Sequence, residues 1–123
     1  MLARAIRILT FFLVTSGHAA AQDASVTELL MFEQPGCIYC AQWNEEIAPE
    51  YALTDEGKAA PLRRLQLRAA APDDITLARP VTFTPTFVLV DGGREVDRIE
   101  GYPGEDFFWP LLSQMLGQLQ AAR

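Results

Sequence analysis

Histidine, spare cysteine and long apolar runs are scarce or absent in this 123-residue chain. Its one histidine, His18, lies in an N-terminal stretch with the features of a leader, so the mature domain is expected to hold none. A cysteine–histidine nucleophile pair then has no base, and a mononuclear zinc or copper site would have two thiolates and no imidazole. The only cysteines are Cys37 and Cys40, and neither is left over for a structural bridge. No repeat, low-complexity run or linker is visible. Basic charge is also short, which opposes nucleic-acid binding, because that needs a basic surface.

What is present begins with an export pattern. Arg4 and Arg7 supply a positive region, residues 8–14 an apolar core and Ala19-Ala20-Ala21 a small-residue cleavage site, so residues 1–21 are expected to be a signal peptide cut before Gln22. An uncleaved anchor is disfavoured, because the apolar core is far shorter than the ~20 residues that span a bilayer. The expected destination is an oxidising compartment, where a lone dithiol must be kept reduced by a partner if it is to act as a reductant. Residues 22–123 suffice for one small domain with one core. Loss of Arg4 and Arg7 takes the ten basic residues to eight against sixteen acidic ones, a formal charge of −8 and a soluble acidic surface.

Residues 27–32 form a short apolar run typical of a buried strand, broken by Gln34-Pro35-Gly36 just before Cys37. A helix is expected next. Cys40, Trp43, Ile47 and Tyr51 recur on one of its faces while Glu45, Glu46 and Glu50 fall elsewhere, so Cys40 should point inward and Cys37 should stay near the rim. Pro49 should kink or end it. Residues 54–60 read as a turn or short helix around Gly57, residues 62–68 as an imperfectly alternating strand, and residues 72–79 as a short helix stopped by Pro80. Residues 86–90 and 94–100 flank the turn Asp91-Gly92-Gly93 as a hairpin. The last helix should open near Glu105 and Asp106 and bury Phe108, Leu111, Leu112, Met115, Leu116 and Leu119, with Pro110 forcing a late start or a kink. The order predicts an α/β domain with a mixed central sheet and helices on both faces. The dithiol falls after the first strand, where open α/β sheets usually place their sites.

The Cys-x-x-Cys spacing at a helix start puts the first thiol among unpaired backbone N–H groups, where the helix dipole favours a thiolate, with the second thiol a turn further in. Together with Phe83-Thr84-Pro85-Thr86 before a hairpin and final helix, these residues resemble the thioredoxin superfamily over the whole mature chain. The resemblance implies a thioredoxin-like fold, a cis Pro85 beside the dithiol, and a Thr84 whose backbone groups meet a bound peptide. Within the superfamily, Gln34-Pro35-Gly36-Cys37-Ile38-Tyr39-Cys40 and Glu100-Gly101-Tyr102-Pro103-Gly104 look most like the small periplasmic thioredoxin-like proteins of bacterial sulfur-oxidation clusters. That likeness implies a periplasmic thiol–disulfide oxidoreductase that keeps the pathway's cysteine-bearing sulfur-carrier protein in its thiol state.

Two departures stand out. Typical members carry a buried acid six residues before the first cysteine and a tryptophan just before it, where this chain has Met31 and Gly36. Glu33 or a water is left to stand in for the acid.

The catalytic residues expected are Cys37 as nucleophile and Cys40 as resolver, with Thr84, Pro85 and Tyr39 lining the substrate site and Trp43 in the core. No cofactor or metal is expected. The expected partners are a protein thiol or disulfide and a membrane electron donor that re-reduces the pair, with the domain a monomer. Because the dipeptide between the cysteines tunes thiolate stability, a general periplasmic oxidant or isomerase is the rival within this chemistry. Outside it, the rival is a metal-handling module, perhaps a dimer sharing four thiolates, which the lack of histidine and of further ligands opposes.

Overall fold

The computed structural model describes residues 24–123, so the leader and its cleavage point before Gln22 lie outside the described residues. The chain runs β1 (Thr27–Glu33), α1 (Ile38–Glu46), α2 (Ala48–Tyr51), α3 (Asp55–Ala59), β2 (Leu62–Gln66), β3 (Thr86–Asp91), β4 (Arg94–Glu100) and α4 (Glu105–Ala121). The strands make one sheet in the order β2-β1-β3-β4, with β2 parallel to β1 and the other pairs antiparallel. Central strands buried on both faces need continuous apolar runs, which is what Leu29-Leu30-Met31-Phe32 and Phe87-Val88-Leu89-Val90 supply. The imperfect alternation of β2 has the same origin: Leu62 packs on one face of the sheet and Leu65 on the other.

The first helical stretch is broken where Pro49 lacks an N–H for the carbonyl four residues back and disfavours helical geometry in the residue before it. Ile47 still donates to the Trp43 carbonyl at 2.9 Å, and α2 restarts with Pro49 in its first turn. Pro110 does not delay α4, which begins at Glu105; the proline sits exposed in its second turn. Phe108, Leu112, Met115 and Leu116 are buried as expected, whereas Leu111 is 39% exposed and lies off the stripe. Each large side chain taken wholly out of water here, such as Trp43, Phe87 or Phe108, contributes on the order of 2 kcal/mol.

The mixed sheet and α/β class match expectation, but the expected helices on both faces do not. No helix forms over residues 72–79. Ile75 and Leu77 are two residues apart and alternate as extended chain, packing with Val81 and Leu65 on Leu30, Phe32, Val88 and Val90. Between them, Thr76 pairs with the edge of β4, its N–H bonding the Gly93 carbonyl at 2.8 Å and its carbonyl accepting from Glu95 at 2.9 Å. A loop therefore covers this face, and α1, α2 and α4 gather on the opposite one around Trp43 and Phe108.

Candidate active site

β1 delivers the chain to the rim of the sheet at Glu33. Gly36 then turns it with φ 78°, a left-handed conformation that glycine adopts at no steric cost. Cys37 is the N-cap of α1, and its Sγ accepts a hydrogen bond from the Cys40 N–H at 3.1 Å. The two cysteines are joined as a disulfide, with Cα atoms 5.2 Å apart. Their surroundings differ as the helical spacing required: Cys37 is half-buried at the rim, and Cys40 is 4% exposed and packs in the main core.

The Thr84–Pro85 peptide is cis, in keeping with the resemblance. Gln34, from the turn before Cys37, donates from Nε2 to Thr84 Oγ1 at 3.0 Å and so ties the dithiol loop to the proline loop. Thr86 Oγ1 closes that loop on the Phe83 carbonyl at 2.8 Å, and the Pro85 carbonyl accepts from the Gly101 N–H at 2.8 Å. Among the described residues, neither the N–H nor the carbonyl of Thr84 has a hydrogen-bond partner. Tyr39, 60% exposed, shares a cleft of about 410 Å³ with Thr84, Pro85, Tyr102 and the 45% exposed Phe83. The turn that leads into the dithiol and the proline loop, 50 positions apart in sequence at Gln34 and Thr84, thus adjoin at one end of the sheet.

A thioredoxin-like domain model matches residues 18–116 of the chain. The chain belongs to the thioredoxin-like family. Among solved structures it is similar to the periplasmic thioredoxin SoxS from Paracoccus pantotrophus in its reduced form, with 66% identity over 76% of this chain and 98% of that one and a TM-score of 0.74. No curated protein matches it. With its Cys-x-x-Cys pair on this fold, the thioredoxin-like chain is a thiol–disulfide oxidoreductase, cycling between the Cys37–Cys40 disulfide and a dithiol. Among the described residues, no three Cys, His, Asp or Glu side chains converge on a common point, and no helix is long and apolar enough to cross a membrane.

The tertiary fold adds contacts at the site that the linear sequence does not show. Tyr102 donates from its hydroxyl to Glu46 Oε2 at 2.5 Å, tying the cleft wall to α1. Burial of the hydroxyl, and then the Glu46 carboxylate beside it, push the tyrosine pKa up, while the Tyr102 and Gln42 hydrogen bonds hold Glu46 below its ordinary value. Arg64 of β2 reaches over Trp43, 5.6 Å from the ring centroid, to bond Glu33 Oε2 at 2.5 Å and Asn44 Oδ1 at 2.8 Å. Only the parallel pairing of β1 with β2, which sets Arg64 opposite Met31, brings it there, and nothing in the linear sequence signals that pairing.

Proposed function

We propose that the protein works in the periplasm as a reductant, keeping the cysteine-bearing sulfur-carrier protein of a sulfur-oxidation pathway in its working thiol state. The likeness to the periplasmic thioredoxin SoxS carries this reading. The Cys37 thiolate attacks the carrier's cysteine sulfur where it is joined to a second sulfur; that S–S bond breaks with its electron pair leaving on the second sulfur, a mixed disulfide forms, and Cys40 displaces the carrier as a free thiol. The carrier gains two electrons, the pair is left as the Cys37–Cys40 disulfide, and a membrane electron donor returns the dithiol. The unpaired N–H and carbonyl of Thr84 suit an extended carrier segment laid along the proline loop, with Tyr39 and Pro85 as walls.

Cys40→Ser removes the resolving thiol and keeps the attacking one, so it should accumulate a mixed disulfide. The trapped partner should be an exported protein whose exposed cysteine carries sulfur, and added thiol should release both proteins intact. Cys37→Ser should trap far less. Capture of a broad set of exported disulfide proteins without preference for such a carrier would replace this reading with a general oxidant or isomerase. Capture of nothing, with metal bound through both sulfurs of the wild type, would overturn the redox role itself.

A further inference from the structure

Cys40 is 4% exposed and must shed a proton before it can attack. Burial in apolar surroundings disfavours the thiolate. Residues 24–123 contain no histidine to take that proton. A cleft of about 390 Å³ opens beside the dithiol, and its titratable lining groups are Cys37, Cys40 and Glu33. Strand alternation explains how Glu33 comes to be there. Leu29, Met31 and Glu33 project from the same face of β1, the one α1 covers; Met31 is fully buried, and Glu33, one pleat further on, reaches the cleft with its side chain 21% exposed.

The carboxylate is held as well as placed. Arg64 grips Oε2 at 2.5 Å while its other arm bonds Asn44 Oδ1 on α1, and among the described residues no donor occupies Glu33 Oε1. Asn44 lines the same cleft. The guanidinium, the one cation facing this corner from β2, also offsets the negative charge that would otherwise oppose a second anion at Cys40.

We infer that Glu33 is the proton acceptor for Cys40 in the step that resolves the mixed disulfide, with Arg64 and Asn44 as positioning residues; this rests on the redox reading above. The Cys40 S–H passes its proton to Glu33 Oε1, directly or through one water, and the thiolate attacks Cys37 Sγ. The Cys37–Cys40 bond forms as the bond from Cys37 to the partner breaks, and the electron pair leaves on the partner's sulfur. The cysteine pair is oxidised by two electrons, the partner sulfur is reduced, and Glu33 returns its proton to the departing thiolate or to solvent.

Stopped-flow mixing of the reduced protein with a chromogenic aromatic disulfide separates the two steps, because one coloured thiolate leaves when Cys37 attacks and a second when Cys40 resolves. In Glu33→Gln the second release should slow by about tenfold or more at neutral pH and recover as alkaline solution ionises Cys40 unaided. Glu33→Asp, which keeps a carboxylate, should retain most of the neutral-pH rate. A second release in Glu33→Gln with the wild-type rate and pH profile would overturn the inference, as would a loss at all pH values alike, which marks a merely structural role. Wild-type protein that never gives a second release would instead remove the redox reading beneath it.

Discussion

A sulfur atom at a helix N-cap meets backbone donors that no other residue claims, and at Cys37 one of them is already engaged: the Cys40 N–H points at its Sγ. The same donor and the positive end of α1 remain for the thiolate once the disulfide opens, while Cys40 lies inside the core without that help. Cys37 should therefore be the reactive thiol, ionising below the ~8.5 of free cysteine. Alkylation rate against pH with peptide mapping checks this, and preferential labelling of Cys40, or a midpoint at or above the free value, contradicts it. A lowered thiolate pKa also stabilises the reduced pair, so the redox potential follows from the same contact.

Among the elements, α3 shows how little space separates the helices on the sheet. Thr54 caps it, its Oγ1 accepting from the Gly57 N–H at 3.0 Å while donating to the Tyr51 carbonyl at 2.8 Å. Gly57 lies against that carbonyl so closely that an added Cβ would stand 1.7 Å from the oxygen. The approach is to backbone, which cannot swing aside, so Gly57→Ala should destabilise the fold by about 1–3 kcal/mol, read as a lower urea midpoint at unchanged slope. An unchanged midpoint would mean that α3 shifts freely. At its other end Tyr51 is held as well: its hydroxyl donates to the Ala60 carbonyl at 2.6 Å, and burial, then the charge of Glu56, push its pKa up.

For the whole molecule, the loop that takes the place of a second helix layer must be fastened, and Arg98 fastens it. Its guanidinium bonds the Arg79 carbonyl at 2.8 Å and pairs with Glu95 at 2.6 Å, both side chains 4% exposed, while Glu95 accepts from the Ala78 N–H at 2.7 Å. Burial raises the Glu95 pKa, but the Arg98 and Ala78 hydrogen bonds outweigh it and leave the carboxyl below its ordinary 4.5. Arg98→Met strands a buried carboxylate and should cost about 3 kcal/mol at neutral pH, with Glu95→Leu/Arg98→Met recovering most of it. A group with a lowered folded pKa contributes stability that is present above 4.5 and lost as pH falls through the lowered value. The gap between wild type and Arg98→Met should accordingly narrow in acid, and a gap constant across that range would show that the pair is not what holds the loop. Denaturant unfolding at a series of pH values measures both.

Local chemistry carried the parts of this protein that depend on near neighbours. Apolar runs marked β1 and β3, the Asp91-Gly92-Gly93 turn marked the hairpin, and the spacing of Cys40, Trp43, Ile47 and Tyr51 set Cys40 inward, because each rests on a backbone period or a turn preference within a few residues. The segment 72–79 departs from its local signal for the complementary reason: Pro72-Asp73-Asp74 is a good helix start, and only the apolar face of Leu30 and Val88, contributed from far along the chain, favours extended packing of Ile75 and Leu77 instead. The dithiol was legible in the sequence as a motif. The setting of Glu33, Arg64 and Asn44 beside it, and of Gln34 against Thr84, was decided by which strands pair and in what register, a choice made by burial of the whole sheet rather than by any short stretch of sequence.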